Sequence, residues 1–250
     1  MERFTAMTGK ADFLCAHVDI VAFMSHRVKP LLAYTQFMKI GLLRAFALAI
    51  VLLAGQAFAQ TFTPAEIIDW EQEVFAGPVE YSLATVDGQL AVQADCQPGG
   101  AVALYQPMAI DLNQTPILEW SWRIEHAHRG EHDETRRAGD DYAARIYAVR
   151  DGGLFAWRTR AVNYVWAANQ PEGATWPNAF AKQAQMLAIR SGNEAAGQWL
   201  TERRHLADDF AALHGQTADR LDGIAIMTDC DNINQPIRAY YGLIKVISDE

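Results

Sequence analysis

The chain has 250 residues, half of them hydrophobic, and carries 30 acidic against 21 basic side chains for a formal net charge of −9. That length and composition suit one domain with a sizeable core, while the negative balance repels phosphate backbones and anionic lipid and so argues against a nucleic-acid partner. Three cysteines with no Cys-x-x-Cys among them argue against a thiolate metal site.

Residues 1–37 show no helical or strand period and stand upstream of a second methionine, as a mis-assigned start or a disordered leader would. From Met38 the sequence MKIGLLRAFALAIVLLAGQAFAQ has the basic start, short apolar run and Ala-x-Ala end of a secretory signal peptide over 38–59, with cleavage after Ala59. A cytoplasmic tail followed by an uncleaved anchor is the alternative, but the apolar run is short for a span of about 20 residues. Gln56, where a lipid-bearing Cys would stand, argues against lipidation. The expected product is periplasmic or secreted, has no membrane span after cleavage, and consists of one domain over 60–250. Six of the 21 Lys/Arg and three of the 30 Asp/Glu precede Gln60, so 15 and 27 remain, a net charge near −12. An acidic polysaccharide is then disfavoured unless a local basic patch or a bridging cation intervenes. Cys96 and Cys230 remain, and an oxidising compartment permits a disulfide that their spacing does not dictate.

Beyond Ala59 the pattern has period two. Val79–Ala84 and Leu90–Ala94 flank an Asp87-Gly88 turn and predict a hairpin. Ala101–Ile110 reads as a strand broken at Pro107. In Ile117–Glu125, Leu118, Trp120, Trp122 and Ile124 share one face and Glu119, Ser121, Arg123 and Glu125 the other, which predicts a central core strand. His126–Asp141 (HAHRGEHDETRRAGDD) is polar enough to predict a surface loop. Its histidines and carboxylates are ligand types for zinc, but the spacing offers no rigid third ligand. Strands follow at Tyr142–Arg150, Ala156–Ala168, Gln185–Arg190, Leu221–Thr228 and Ala239–Ile247. One amphipathic helix is predicted over Glu194–His214, with Trp199, Leu206, Phe210 and Leu213 on a stripe, Asn193 as N-cap and Gly215 as stop. Many short strands with one helix predict an all-β fold, a two-sheet, jelly-roll-like β-sandwich with the helix packed on it.

The stretch Ala161–Asn178 (AVNYVWAANQPEGATWPN) is the strongest candidate for function. Tyr164, Trp166 and Trp176 offer flat apolar faces, and Asn163, Asn169, Gln170 and Asn178 offer donors and acceptors, the pairing a hydroxyl-rich ligand needs; Arg145 is placed with them. The same composition also builds a packed strand-to-loop corner. Asp140 and Asp141 precede one strand and Asp229 and Asp231 end another, so the four could meet and hold a structural Ca²⁺, which takes six to eight oxygens. The alternative is turn-forming aspartates paired with Arg145 or Arg190. No other cofactor is indicated.

The runs ILEWSWRI, GDDYAARIYAV, NYVWAANQPEGATWPN, QMLAIRSG with QWLTERR, and IAIMTDCDN before AYYGLIKV resemble the domain-of-unknown-function 3047 family over about Trp70–Val246. The resemblance implies a bacterial envelope-type protein with no assigned activity. Cys230 stands between two aspartates where a Thr-like residue is typical. Leu243 follows Tyr241-Gly242 where an acidic residue is, which weakens any acidic site on the last strand. No nucleophile elbow, zinc-protease motif or phosphate loop is present. The leading expectation is a β-sandwich that binds a glycan or other polar ligand. A glycan-cleaving enzyme on the same fold, or an envelope interaction domain without a small ligand, are the alternatives.

Overall fold

The computed structural model describes residues 59–153 and 156–249; the start-site and signal-peptide expectations fall outside them. Among the described residues, thirteen strands form two sheets. Five of them, β1 (Gln60–Phe62), β3 (Val79–Val86), β4 (Gln89–Cys96), β6 (Ile117–Ile124) and β11 (Leu200–His205), join β13 (Ile237–Ile247) in a six-stranded sheet ordered β11-β6-β13-β4-β3, with β1 beside β13. The seven-stranded sheet runs β2 (Glu71–Ala76), β5 (Ala101–Asp111), β12 (Arg220–Asp229), β7 (Arg145–Arg150), β8 (Arg160–Ala167), β10 (Ala184–Ser191) and β9 (Thr175–Pro177). Every pairing is antiparallel except β8 with β10. The chain is a two-sheet, mostly antiparallel sandwich, as the period-two pattern predicted.

The core follows from that alternation. Leu118, Trp120, Trp122 and Ile124 are fully buried, and each indole or aliphatic group of that size stabilises by about 1.5–3 kcal/mol when covered. Trp120 lies 5.2 Å from the Tyr164 ring and Trp122 lies 5.7 Å from Trp166, so β6 and β8 meet through four aromatic rings between the sheets. The Asp87-Gly88 turn has φ of 52° and 79°, the left-handed pair that a two-residue hairpin demands.

Three expectations change. Strand β5 runs through Pro107 rather than breaking there. Pro107 lies opposite Gly223 beside a register shift, past the point where β2 pairs with β5, so its missing N–H leaves few bonds unmade. The helix is only α2, Leu206–His214, after a short α1 at Pro64–Ile67. Residues 200–205 join β6 as an edge strand because Glu202 turns inward, where it accepts from Trp122 Nε1 at 3.1 Å and Arg190 Nε at 2.7 Å. Gly215 ends α2 at φ 64° as expected.

The polar run 126–141 is not simply a solvated loop. Glu134, Asp140 and Asp141 are fully buried and His128 nearly so. Glu134 takes the backbone N–H groups of Ala168, Asn169 and Gln170 at 2.7, 3.0 and 2.8 Å, so its charge is satisfied by backbone donors and can be buried.

Cys96, ending β4 in one sheet, and Cys230, following β12 in the other, form a disulfide with an S–S distance of 2.09 Å. The bridge links the sheets at one end of the sandwich.

Candidate functional site

The residues singled out in Ala161–Asn178 do not form an exposed stacking surface. Tyr164 and Trp166 point between the sheets. Tyr164 donates to Asp209 at 2.9 Å and Trp166 Nε1 to the Gly192 carbonyl at 3.0 Å. Trp176 is 6% exposed and lies 6.4 Å from the Tyr142 ring. Asn163, Asn178 and Arg145 are buried too. Only Asn169 is exposed and Gln170 half-buried; Asn169 reaches the Gly130 carbonyl and the His132 ring. For the outward-facing residues the cause is non-local: the 126–141 segment and the β8–β10 connection lie over the outer face of the seven-stranded sheet.

Beneath that cover lies a polar network. Arg145 donates to the Asp229 carboxylate, to Tyr147 Oη at 2.9 Å and to the Asp140 carbonyl at 3.3 Å. Its guanidinium sits 4.4 Å from the Tyr142 ring centroid. Asp140 accepts from Tyr142 at 3.1 Å and Asn178 at 2.9 Å. Asp141 accepts from the backbone N–H and side chain of Asn232, both at 3.0 Å, fixing the turn after β12. Asp141, Asp229 and Asp231 bring carboxylate oxygens within 4.8 Å of one another; Asp140 stands outside this group, its carboxylate committed to Tyr142 and Asn178. Burial pushes the Asp140 carboxyl up to about 6 and that of Asp231 up to about 7, the neighbouring Asp141 adding to the latter. Burial also pushes Asp229 up, while Arg145 opposes this.

The excess negative charge at the trio needs a proton or a cation. In the presence of chelator, the melting temperature should therefore fall as pH rises from about 6.5 to 8. A carboxyl raised in the folded state stabilises fully below its unfolded value of 3.8 and loses that stabilisation as pH rises through about 7. Burial lowers His128 and His214 below 6.5, which gives the opposite slope only at lower pH. Asp231→Asn should flatten the fall, and a profile unchanged in that variant would remove Asp231 as its source.

The open surface is elsewhere. The outer face of the six-stranded sheet holds a groove of about 470 Å³. Beneath two of its lining side chains, Ser121 and Gln89, β13 carries Gly242 beside the register shift between Tyr241 and Ile244. A Cβ at Gly242 would stand 2.2 Å from Ser121 Oγ and 2.7 Å from Gln89 Nε2. With hydrogen there instead, Ser121 on β6 and Gln89 on β4 reach each other over β13 at 3.3 Å. Glu119 and Lys245, cross-strand partners, pair at 2.8 Å. Thr201, opposite Ser121 in register, supplies another hydroxyl, and Leu90 and Leu243 are exposed at 44% and 41%.

The same face continues toward Tyr240, whose partner in register is Arg123, with the guanidinium 5.4 Å from its ring. Trp199, half-buried, lies 6.5 Å from Tyr240 and donates to the Val86 carbonyl at 3.2 Å. Trp199 precedes β11 at one edge of the sheet and Val86 ends β3 at the other, and the chain leading into β11 crosses the end of β6, where the Gly197 carbonyl accepts from Arg123 Nε at 2.9 Å, to bring the indole there. Hydroxyl, amide, ion pair and aliphatic surface thus share one concave groove, with the Trp199–Tyr240 pair packed outside it. The sequence placed Glu119, Ser121 and Arg123 on the solvent side of β6 but gave no sign of what lay beside them. Gly242, an isolated glycine within a strand, was the available signal.

The model of the family described as a protein of unknown function, DUF3047, matches residues 68–245. No curated protein matches the chain. Among solved structures, the family 11 carbohydrate-binding module from Clostridium thermocellum, in complex with a β-1,3-1,4-mixed-linked tetrasaccharide, is 9% identical with a TM-score of 0.41, over 76% of this chain and 95% of its own. A low-affinity xylan-binding module, CBM86, from Roseburia intestinalis is 10% identical with a TM-score of 0.30, over 77% and 96%. A cellulase derived from Cel12A of Rhodothermus marinus is 10% identical with a TM-score of 0.35, over 70% and 100%.

Proposed function

The chain belongs to the DUF3047 family of proteins of unknown function, and we propose that it is a binding protein acting outside the cytoplasm, taking a glycan or similar hydroxyl-rich ligand into the groove on its six-stranded sheet. The observation that carries this reading is Gly242 with Ser121 and Gln89 meeting above it. Both side chains can donate and accept, and each has capacity left for a hydroxyl. Leu90 and Leu243 offer apolar surface beside them, the mixture a sugar ring requires. The Cys96–Cys230 disulfide supports an oxidising compartment.

Binding is favoured over cleavage by the carboxylates of the groove. Glycoside hydrolysis ordinarily employs two, flanking the scissile bond, and the lining offers Glu119 alone, held by Lys245. A structural Ca²⁺ belongs to this reading only at Asp141, Asp229 and Asp231. Their number and proximity suit an oxygen-preferring cation, although Asp229 already has Arg145 as counterion. The test of the main reading is a glycan array with product analysis on every hit. Retention of an intact oligosaccharide supports it; release of shorter products, or no retained glycan, overturns it.

A further inference from the structure

A second concave site lies at the far ends of β7 and β8, lined by Arg150, Asp151, Gly152, Arg158, Arg160 and Gln216 and enclosing about 370 Å³. Three guanidiniums face one carboxylate there, on a chain whose overall charge is −9. Arg150 and Arg160 are direct cross-strand partners, a placement in which like charges destabilise a sheet. Backbone carbonyls hold the two forks: Arg160 donates to Trp157 and Thr159 at 2.9 and 3.0 Å, and Arg150 to Thr217 at 3.5 Å. Carbonyls orient a guanidinium without neutralising it. The one carboxylate, Asp151, accepts the Gly153 N–H at 3.0 Å. Its neighbour Asp222 pairs with a further arginine, Arg220, at 2.7 Å. Trp157, next in sequence to Arg158, is 67% exposed, the most exposed large hydrophobic side chain among the described residues.

From this geometry we infer that the pocket binds an oxyanion carried on a sugar ring, a uronate or a sulfate ester. Planar guanidiniums match carboxylate and sulfate oxygens bidentately, and the exposed Trp157, adjacent in sequence to Arg158, puts an aromatic residue on the same turn. The acidic remainder of the surface disfavours an anionic bilayer, which meets the whole protein, and tolerates a small anion, which meets only the pocket. The site is the local basic patch without which an acidic saccharide would be repelled, and it is separate from the groove on the other sheet.

Titration calorimetry with trigalacturonate tests it, with galactotriose as neutral control. Trigalacturonate should bind the parent protein, weaken with added salt, be displaced by inorganic phosphate, and lose about tenfold or more in affinity in Arg150→Gln/Arg160→Gln, each lost contact being a charged hydrogen bond. That double variant should melt no lower than the parent, because a like-charge pair has been removed. Arg158→Gln, on the exposed turn, should weaken binding without touching either strand. Absent binding, equal affinity in the variants, equal affinity for galactotriose, or binding confined to phosphatidylglycerol vesicles would each overturn the assignment. Gly242→Ala should leave this affinity unchanged, so failure here and failure of the groove are read separately.

Discussion

Arg145→Ala is expected to cost about 3–5 kcal/mol of folding stability, the scale for removing one partner of a buried ion pair. Arg145 is 1% exposed and is the cation in contact with Asp229, with the Asp140 carbonyl on the same guanidinium nitrogen. Without it, the buried Asp140, Asp141 and Asp229 would face one another with no counterion, or would have to take up protons. Tyr142 and Tyr147, whose ring centroids lie 4.4 and 5.7 Å from the guanidinium, would lose their contact as well. Arg145→Lys should recover only part of the loss, since an ammonium cannot reproduce the planar fork. For a domain near this size a kcal/mol corresponds to about 2–4 °C in melting temperature. Thermal and urea unfolding of the two variants measure the effect, and a loss below about 1 kcal/mol for Arg145→Ala would mean that the network does not hold the 126–144 segment to the sheet.

Trp166→Ala should also cost about 3–5 kcal/mol, the usual range for deleting a large buried ring. Its indole packs 5.7 Å from Trp122 of the facing sheet and donates to Gly192, so the change opens a cavity between the sheets and orphans a carbonyl. Trp176→Ala should destabilise in the same direction, because Trp176 packs against Tyr142 under the outer cover of the seven-stranded sheet. Melts of both variants decide the matter. A drop of only a degree or two in either would mean that the ring is free to serve a ligand.

The parts of the fold set by local chemistry were legible. Asp87-Gly88 carries its turn type in its residues, and the alternation of Ile117–Glu125 identifies a half-buried strand whatever surrounds it. Parts set by distant segments were not. Tyr164 and Trp166 fall on the inward positions of β8, while Asn163 and Val165 point outward on a strand whose outer face happens to be covered. Nothing within 161–178 shows that His126–Asp141 will fold over it, because that segment can be buried only once Glu134 finds the N–H groups of 168–170. The helix expected over 194–214 failed at Glu202 for a similar reason. Its inward carboxylate has partners 80 residues away at Trp122 and 12 away at Arg190. The acidic strand ends at Asp140–Asp141 and Asp229–Asp231 were recognisable as a pair, but Arg145 as their shared counterion depends on the pairing of β7 with β12. The groove was the least visible feature, since four strands furnish it and Ser121 and Gln89 meet there only because Gly242 has no side chain.

The proposal that the groove holds a glycan is tested most directly at Gly242. Its φ lies outside the left-handed region, so alanine is compatible with the backbone, and the added methyl must displace Ser121 Oγ and Gln89 Nε2, the ends of movable side chains. Titration of the parent and Gly242→Ala proteins with a neutral oligosaccharide retained on the array should show affinity reduced about tenfold or more, on the scale of two hydrogen bonds lost or displaced. The melting temperature should change by no more than a few degrees. Equal affinity in a variant that melts normally would contradict a ligand on this face.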